Sequence, residues 1–209
     1  MQYRRILPMV IACTLAGCSG RPAAVVPQFD PAGMAEQALA AYDADGDGRL
    51  AGAELDASPA IKKHLARYDA DSDGAVSEQE LQDRFAQWEE EGVGFRRLDV
   101  RVTIDGRPLS GATVTFEPEA FMTDWVKPAT ATTDRSGMAK ISVAPEDLPA
   151  ALKDRASGLR GVCVGAYRVK VTHPSDKLPP AYPAGDALGA ETSRDAMGPL
   201  EEIQLSSHG

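Results

Sequence analysis

Two twelve-residue stretches of this chain, Asp43–Glu54 and Asp69–Glu80, carry the same pattern: Asp-x-Asp-x-Asp-Gly, five further residues and then Glu, with starts 26 residues apart. Four carboxylates at the pattern positions of so short a segment repel one another and cannot enter an apolar core, so each stretch must be a surface loop that draws in a cation. The spacing suits calcium, which takes six to eight oxygens at about 2.3–2.6 Å and so needs alternate side chains turned inward. In the first loop Asp43, Asp45 and Asp47 supply carboxylates, Arg49 its backbone carbonyl, and Glu54 two oxygens at once. In the second loop Asp69, Asp71 and Asp73, the carbonyl of Ala75, and Glu80 do the same. Gly48 and Gly74 permit the sharp turn that aims those carbonyls. Ala51 at the ninth place leaves its position to water, while Ser77 offers a hydroxyl to bridge through one. Magnesium competes less well for seven oxygens with a two-oxygen glutamate. Two Ca2+ ions are expected, and their binding should contribute to folding.

The repeat extends beyond the loops. Leu39 and Tyr42 before the first are matched by Leu65 and Tyr68 before the second, Leu55 and Leu81 follow them, and the apolar Leu50 and Val76 sit at the eighth place of each. These residues resemble a pair of EF-hands, in which the two eighth positions meet in a short antiparallel bridge. Dockerin modules share the compact spacing, but the terminal glutamates favour EF-hand. Helical spacing of apolar residues predicts helices over 32–42, from Ser58-Pro59 (with Ile61, Leu65 and Tyr68 on one face), and over 77–91 with Leu81, Phe85 and Trp88 as a stripe. Only fourteen residues, Leu55 to Tyr68, separate the loops, so the exit helix of the first should be a single turn.

Beyond Gly92-Val93-Gly94, a plausible hinge, the apolar period falls from about 3.6 to 2. Leu98, Val100, Val102 and Ile104 alternate up to the turn Asp105-Gly106. Ala112, Val114 and Phe116 form a second strand, and residues 130–133 and 138–143 a hairpin about Asp134–Gly137. Tyr167, Val169 and Val171, then Ile203 and Leu205, complete the series, with a short helix expected over 145–156. The stretches 102–116, 131–137, 165–171 and 178–182 are similar to the carboxypeptidase-regulatory-like, or transthyretin-like, sandwich. The similarity spans about 97–205, and 117–127 and 145–160 depart from its tightest pattern. It implies an antiparallel β-sandwich and a non-catalytic module, with protein or carbohydrate binding in some members. Phe121 and Trp125 are candidate stacking residues for a glycan, or packing at one end of the sandwich.

At the other end of the chain, Arg4 and Arg5 precede a short apolar run that closes with Leu15-Ala16-Gly17-Cys18. This resembles the lipobox of bacterial lipoproteins, which implies removal of residues 1–17, acylation of Cys18 and, with Ser19 rather than Asp next, an outer-membrane address. Two or three acyl chains suffice to hold a domain on a membrane. Cys13 leaves with the signal, so Cys163 is the remaining thiol and reads as a small buried hydrophobe.

The expected fold is α + β in two domains: a signal over 1–17, a tether over 18–31, an α-helical EF-hand pair over 32–93 and an antiparallel β-sandwich over 97–206. The net charge of −9 concentrates in residues 30–93, where sixteen acids face five bases. That balance repels nucleic acid. His64, His173 and His208 stand apart from any zinc-like spacing, and no nucleophile elbow or phosphate loop occurs, so no enzyme activity is expected. The function expected is a calcium-binding envelope lipoprotein with structural ions, its sandwich presented to an envelope protein or glycan. The alternatives are a calcium switch that exposes the Leu81, Phe85, Trp88 stripe, and a carbohydrate-binding accessory module.

Overall fold

The computed structural model describes residues 29–91, 94–148, 153, 160–175, 178–198 and 200–208. The signal over 1–17, Cys18 and the tether up to residue 28, the glycine hinge at Gly92-Val93, and most of the helix expected over 145–156 lie outside the described residues. What is described of that segment is a 3-10 turn, Pro145–Asp147, followed by Leu148, and the helical Lys153.

The helices form where the apolar spacing places them. Asp30 caps the first, α1 (Pro31–Tyr42), by accepting from the Gly33 N–H at 3.1 Å. The expected tether therefore ends earlier, since Phe29 is buried edge-on against Trp88. The first acidic loop contains the strand β1 (Arg49–Ala51) and ends in a 3-10 turn, Gly52–Ala57, in place of a full exit helix. The helix expected to run on from Ser58 is broken in two, α2 (Pro59–Lys63) and α3 (Leu65–Tyr68). The break falls at His64, whose Nε2 accepts the backbone N–H of Glu191 at 3.3 Å. A tertiary bond wins there over helix continuity. Strand β2 (Ala75–Ser77) leads into α4 (Glu78–Glu90), with Ser77 and Glu80 forming a reciprocal cap.

The rest of the chain is mostly β. Its strands are β3 (Phe95–Arg96), β4 (Leu98–Ile104), β5 (Arg107–Pro108), β6 (Thr113–Pro118), β7 (Ala129–Thr132), β8 (Met138–Val143), β9 (Val162–Cys163), β10 (Ala166–Thr172), β11 (Gly189–Glu191) and β12 (Leu200–Leu205), with a turn of helix α5 (Ala181–Ala184) before β11. Eight of them build one half-barrel sheet in the order β11-β10-β6-β7-β8-β4-β12, with β5 hairpinned onto β4. Asp105 and Gly106 both take positive φ in that hairpin, as a tight two-residue turn requires. The sheet turns its corner at β8, which gives Met138–Ile141 to β4 and Ser142-Val143 to β7.

One pairing departs from the antiparallel expectation. Strand β12 runs parallel to β4, from Leu200 opposite Asp99 to Leu205 opposite Ile104. The chain reaches that edge by crossing from β11, and Arg96 pins the crossing by donating to the carbonyls of Thr192, Ser193 and Met197 at 3.2, 2.6 and 2.8 Å. Strand periodicity carries no information on direction, so nothing local announced it.

The interior is continuous between the helices and the sheet. Phe121, after β6, is fully buried and stacks on Phe85 of α4 at 5.2 Å between ring centroids, with Tyr42 edge-on at 6.2 Å. Leu81, Phe85 and Trp88 are all buried. At Gly189 of β11 an added Cβ would lie 2.1 Å from the carbonyl carbon of Pro59, so glycine lets α2 rest directly on the sheet edge. Among the described residues no helix is long and apolar enough to cross a membrane.

Candidate metal centre

The two acidic loops adopt the same hydrogen-bonded frame. In the first, Asp43 accepts from the Gly46 and Gly48 N–H groups at 2.7 and 2.9 Å, Asp45 from Asp47 at 3.1 Å, and Asp47 from Arg49 at 2.9 Å. In the second, Asp69 accepts from Asp73 and Gly74 at 3.0 and 2.8 Å, Asp71 from Asp73 at 3.2 Å, and Asp73 from Ala75 at 3.0 Å. The terminal glutamates reach back across each loop. Glu54 accepts from Ala44 at 2.8 Å and Ala51 at 3.0 Å, and Glu80 from Ala70 at 2.9 Å and Ser77 at 2.8 Å. Positions four and six, Gly46 with Gly48 and Ser72 with Gly74, all have positive φ. This folds each backbone tightly enough to bring carboxylate oxygens of Asp43, Asp45 and Asp47 within 4.8 Å of one another, and likewise those of Asp69, Asp71 and Asp73. Such groups can hold a metal ion.

The loops face each other through β1 and β2, with Leu50 opposite Val76 in antiparallel register and both side chains fully buried. Arg49 reaches over to form an ion pair with Asp73, so its side chain joins the two loops while its carbonyl stays on the backbone frame. The Ser77 hydroxyl donates to Glu80 at 2.7 Å and caps α4. Several carboxyls are held below their ordinary range: Asp43 by the Gly48 N–H, Glu54 by the Ala51 N–H, and Asp73 by the Arg49 guanidinium. At Glu80 partial burial works upward, and the Ser77 N–H and hydroxyl outweigh it. These groups stay charged at neutral pH, as ligands of a divalent cation must be.

The elements that flank the loops are fastened to the sheet by two buried carboxylates that the sequence did not flag. Glu119, at the end of β6, accepts from the Tyr42 hydroxyl at 2.7 Å, the Ser58 hydroxyl at 3.1 Å and Arg168 Nε at 3.0 Å. It also accepts the Ala60 N–H at 3.3 Å, so the cap of α2 comes from the sheet and not from Ser58, whose own hydroxyl is spent on Glu119. Arg168 reaches on to the Ala57 carbonyl and lies over the Tyr42 ring, 5.9 Å from its centroid. Burial, then the charge of Glu119, pushes the Tyr42 hydroxyl up to about 12.

Glu191 of β11 is fully buried and pairs with Arg84 of α4, itself 3% exposed. Trp88 Nε1 donates to the same carboxylate at 3.2 Å. Arg84 also donates to Ser193 at 3.1 Å and to both oxygens of Asp195, at 2.8 and 3.0 Å. Burial works upward on Asp195, but the bonds from Arg84 and Ser193 prevail and hold its carboxyl well below the usual range. One sequence signal existed for this contact: Arg84 lies among Leu81, Phe85 and Trp88, and a charge on an apolar stripe needs a buried partner.

His64 makes this region sensitive to pH. Burial holds its imidazole below the ordinary histidine value, although the Glu191 charge works upward, and Lys63 and Arg67 add to the lowering. Its Nε2 accepts from Glu191 and is therefore unprotonated in the fold. Below about pH 6.5 the unfolded chain takes up a proton that the folded one refuses, so stability falls as pH drops through that value towards the lower folded one. Carboxylates with lowered values lose their contribution only in stronger acid. Thermal melts from pH 7.5 to 5.5 should show a decline that His64→Gln, which keeps an acceptor, flattens; an unchanged slope in the variant would refute this.

Cys163 is buried and its thiol is pushed up to about 11 by that burial, which makes it inert at neutral pH. Phe121 is at the centre of the interior and has no face free for a sugar, while Trp125 is half-buried against the same core.

No family model matches the chain, and no curated protein matches it. Among solved structures, a DUF3823 family protein from Parabacteroides merdae aligns with a TM-score of 0.31 and 11% identity, over 54% of this chain and 45% of that one. The chain thus spans less than half the length of this distant neighbour.

Proposed function

We propose that the chain is a calcium-binding bacterial envelope lipoprotein, held at the outer membrane by acyl groups on Cys18, with no catalytic role. On this reading the acidic loops are an EF-hand pair binding two Ca2+ ions, and the sheet is a carboxypeptidase-regulatory-like sandwich that serves as an interaction module for an envelope protein or glycan. One observation carries the metal assignment: two loops of different sequence repeat one hydrogen-bond frame, with a glutamate at position twelve closing each. Repulsion among their carboxylates needs a cation to balance it, and oxygen-only donors select a hard one.

The ions are structural rather than signalling. A switch would release Leu81, Phe85 and Trp88, yet these are fully buried, with Phe85 stacked on Phe121 and Trp88 against Phe29 and the buried Glu191. Extracellular EF-hand modules bind at about 10⁻⁴–10⁻³ M, where the ion is a permanent part of the fold. Titration calorimetry on the chain starting at Gly20 should give two sites in that range for calcium and weaker binding for magnesium. Saturation should raise the melting temperature by an amount on the order of 10 °C, from about 1.4–2.7 kcal/mol per site at ~10 mM calcium. Neither heat nor thermal shift at millimolar calcium would end the assignment.

A further inference from the structure

The sheet leaves a seam between its two edge strands, and the seam opens into a cavity of about 720 Å³ floored by Phe116, Val169 and Ile203. The two edges are treated differently. On β11, Val169 donates to the Leu188 carbonyl and Thr192 to that of Gly165, which turns the backbone of the alternate residues, Gly189 and Glu191, away from β10. That outward edge is covered: Glu191 donates to His64, and Gly189 lies under Pro59. On β12, Asp105 donates to the Leu205 carbonyl at 3.0 Å. By alternation Ile203 and Glu201 also face β4, while Glu202, Gln204 and Ser206 face the seam. The Ser206 N–H is taken by the Tyr182 hydroxyl at 3.1 Å, and at the other end Lys63 of α2 crosses to Glu201. Between these two bridges the N–H and C=O groups of Glu202 and Gln204 have no partner strand among the described residues.

We propose that this seam is a binding site for a short, extended, basic segment of a partner polypeptide, which adds as a strand to the free edge of β12. An unpaired strand edge offers alternating donors and acceptors at the repeat of a peptide backbone, a pattern that a sugar or a lipid chain does not match. Glu201 to Ser206 spans about 17 Å, the length of a four- or five-residue strand, and the volume lies within the usual range of about 300–1,000 Å³ for ligand pockets. One side chain of the segment enters over Phe116, Val169 and Ile203. The sign of the partner follows from the rim: Asp56, Asp186, Glu201 and Glu202 line it against Lys62 and Lys63, and with Lys62 on Asp56, Lys63 on Glu201 and Arg168 on Asp186, Glu202 is the charge left without an ion-pair partner among the described residues. The unpaired Glu202 on β12 also opposes a second copy of the same strand, which disfavours edge-to-edge pairing as the occupant. The proposal is independent of calcium binding.

The test is nitrogen-labelled whole chain titrated with positional-scanning pools of acetylated tetrapeptide amides. Pools containing Lys or Arg should move the amide resonances of Glu202 and Gln204. N-methylation of alternate backbone nitrogens in the best binder should weaken it about tenfold or more, the loss of one or two backbone hydrogen bonds. Glu202→Lys should shift preference towards acidic pools without lowering the melting temperature. The proposal is overturned if no pool moves those two amides at millimolar concentration, if N-methylated binders retain their affinity, or if basic and acidic pools bind alike.

Discussion

Arg84→Met destabilises the protein by about 3–5 kcal/mol, the range for removing one partner of a buried ion pair, and lowers the melting temperature by roughly 6–20 °C for a chain of this size. The cause is what stays behind. Glu191 has no exposed surface, and without the guanidinium its charge keeps only the donors of Trp88 and Ser193. Asp195 is partly open to solvent and tolerates the loss. Because the cost lies in the orphaned charge rather than in the pair, Arg84→Met combined with Glu191→Leu should recover most of the stability. Denaturant unfolding followed by Trp88 fluorescence reads both variants, since that indole donates to Glu191. A single-variant cost below about 1 kcal/mol, the level of an exposed pair, would show that the contact does not hold the helices to the sheet.

The second large effect is on the metal. Glu54→Gln with Glu80→Gln leaves one neutral oxygen where each loop had a two-oxygen carboxylate, and should weaken calcium at least about 100-fold, beyond the ~10–100-fold typical of losing a group that only supports a ligand. The thermal shift with calcium should then vanish. The metal-free variant should melt cooperatively and somewhat below the parent, because each glutamine offers one acceptor oxygen to the backbone N–H groups that Glu54 and Glu80 meet with two. That pairing of outcomes separates ligand loss from general damage. If the variant still shifts upward with calcium as the parent does, the glutamates serve their loops as hydrogen-bond acceptors only and are not ligands.

The two effects meet at the ends of the loops. Tyr42 precedes Asp43 and is held by Glu119, and Glu80 opens the helix that carries Arg84 to Glu191. A cation that fixes the loops therefore also fixes the two helices where they dock, and chelation should loosen that docking without a rearrangement elsewhere.

Much of this was written locally. The loop frames, the Leu50–Val76 bridge, the shortened exit turn after Glu54, and the strands at 98–104, 138–143 and 166–172 follow from turn residues and from periods of 2 and 3.6, which act within a few residues. The short strands β3, β5, β9 and β11 were not legible, since two or three residues carry no period. Ser58 was legible as a helix start but not as a donor to Glu119, and the position of Arg84 on an apolar stripe did not tell that its partner is Glu191 rather than Glu80 four residues earlier.

The amino-acid sequence by itself determined two tightly folded acidic loops, the helices beside them and most strands, because those depend on steric and electrostatic relations between near neighbours. Only the tertiary structure decided that β12 lies parallel to β4, that Glu119 and Glu191 fasten the helices to the sheet, and that, among the described residues, one sheet edge is covered while the other has no partner strand. Those outcomes depend on burial and on the pairing of groups 61 to 127 residues apart. A buried carboxylate reads in sequence like a surface one until the fold removes its water.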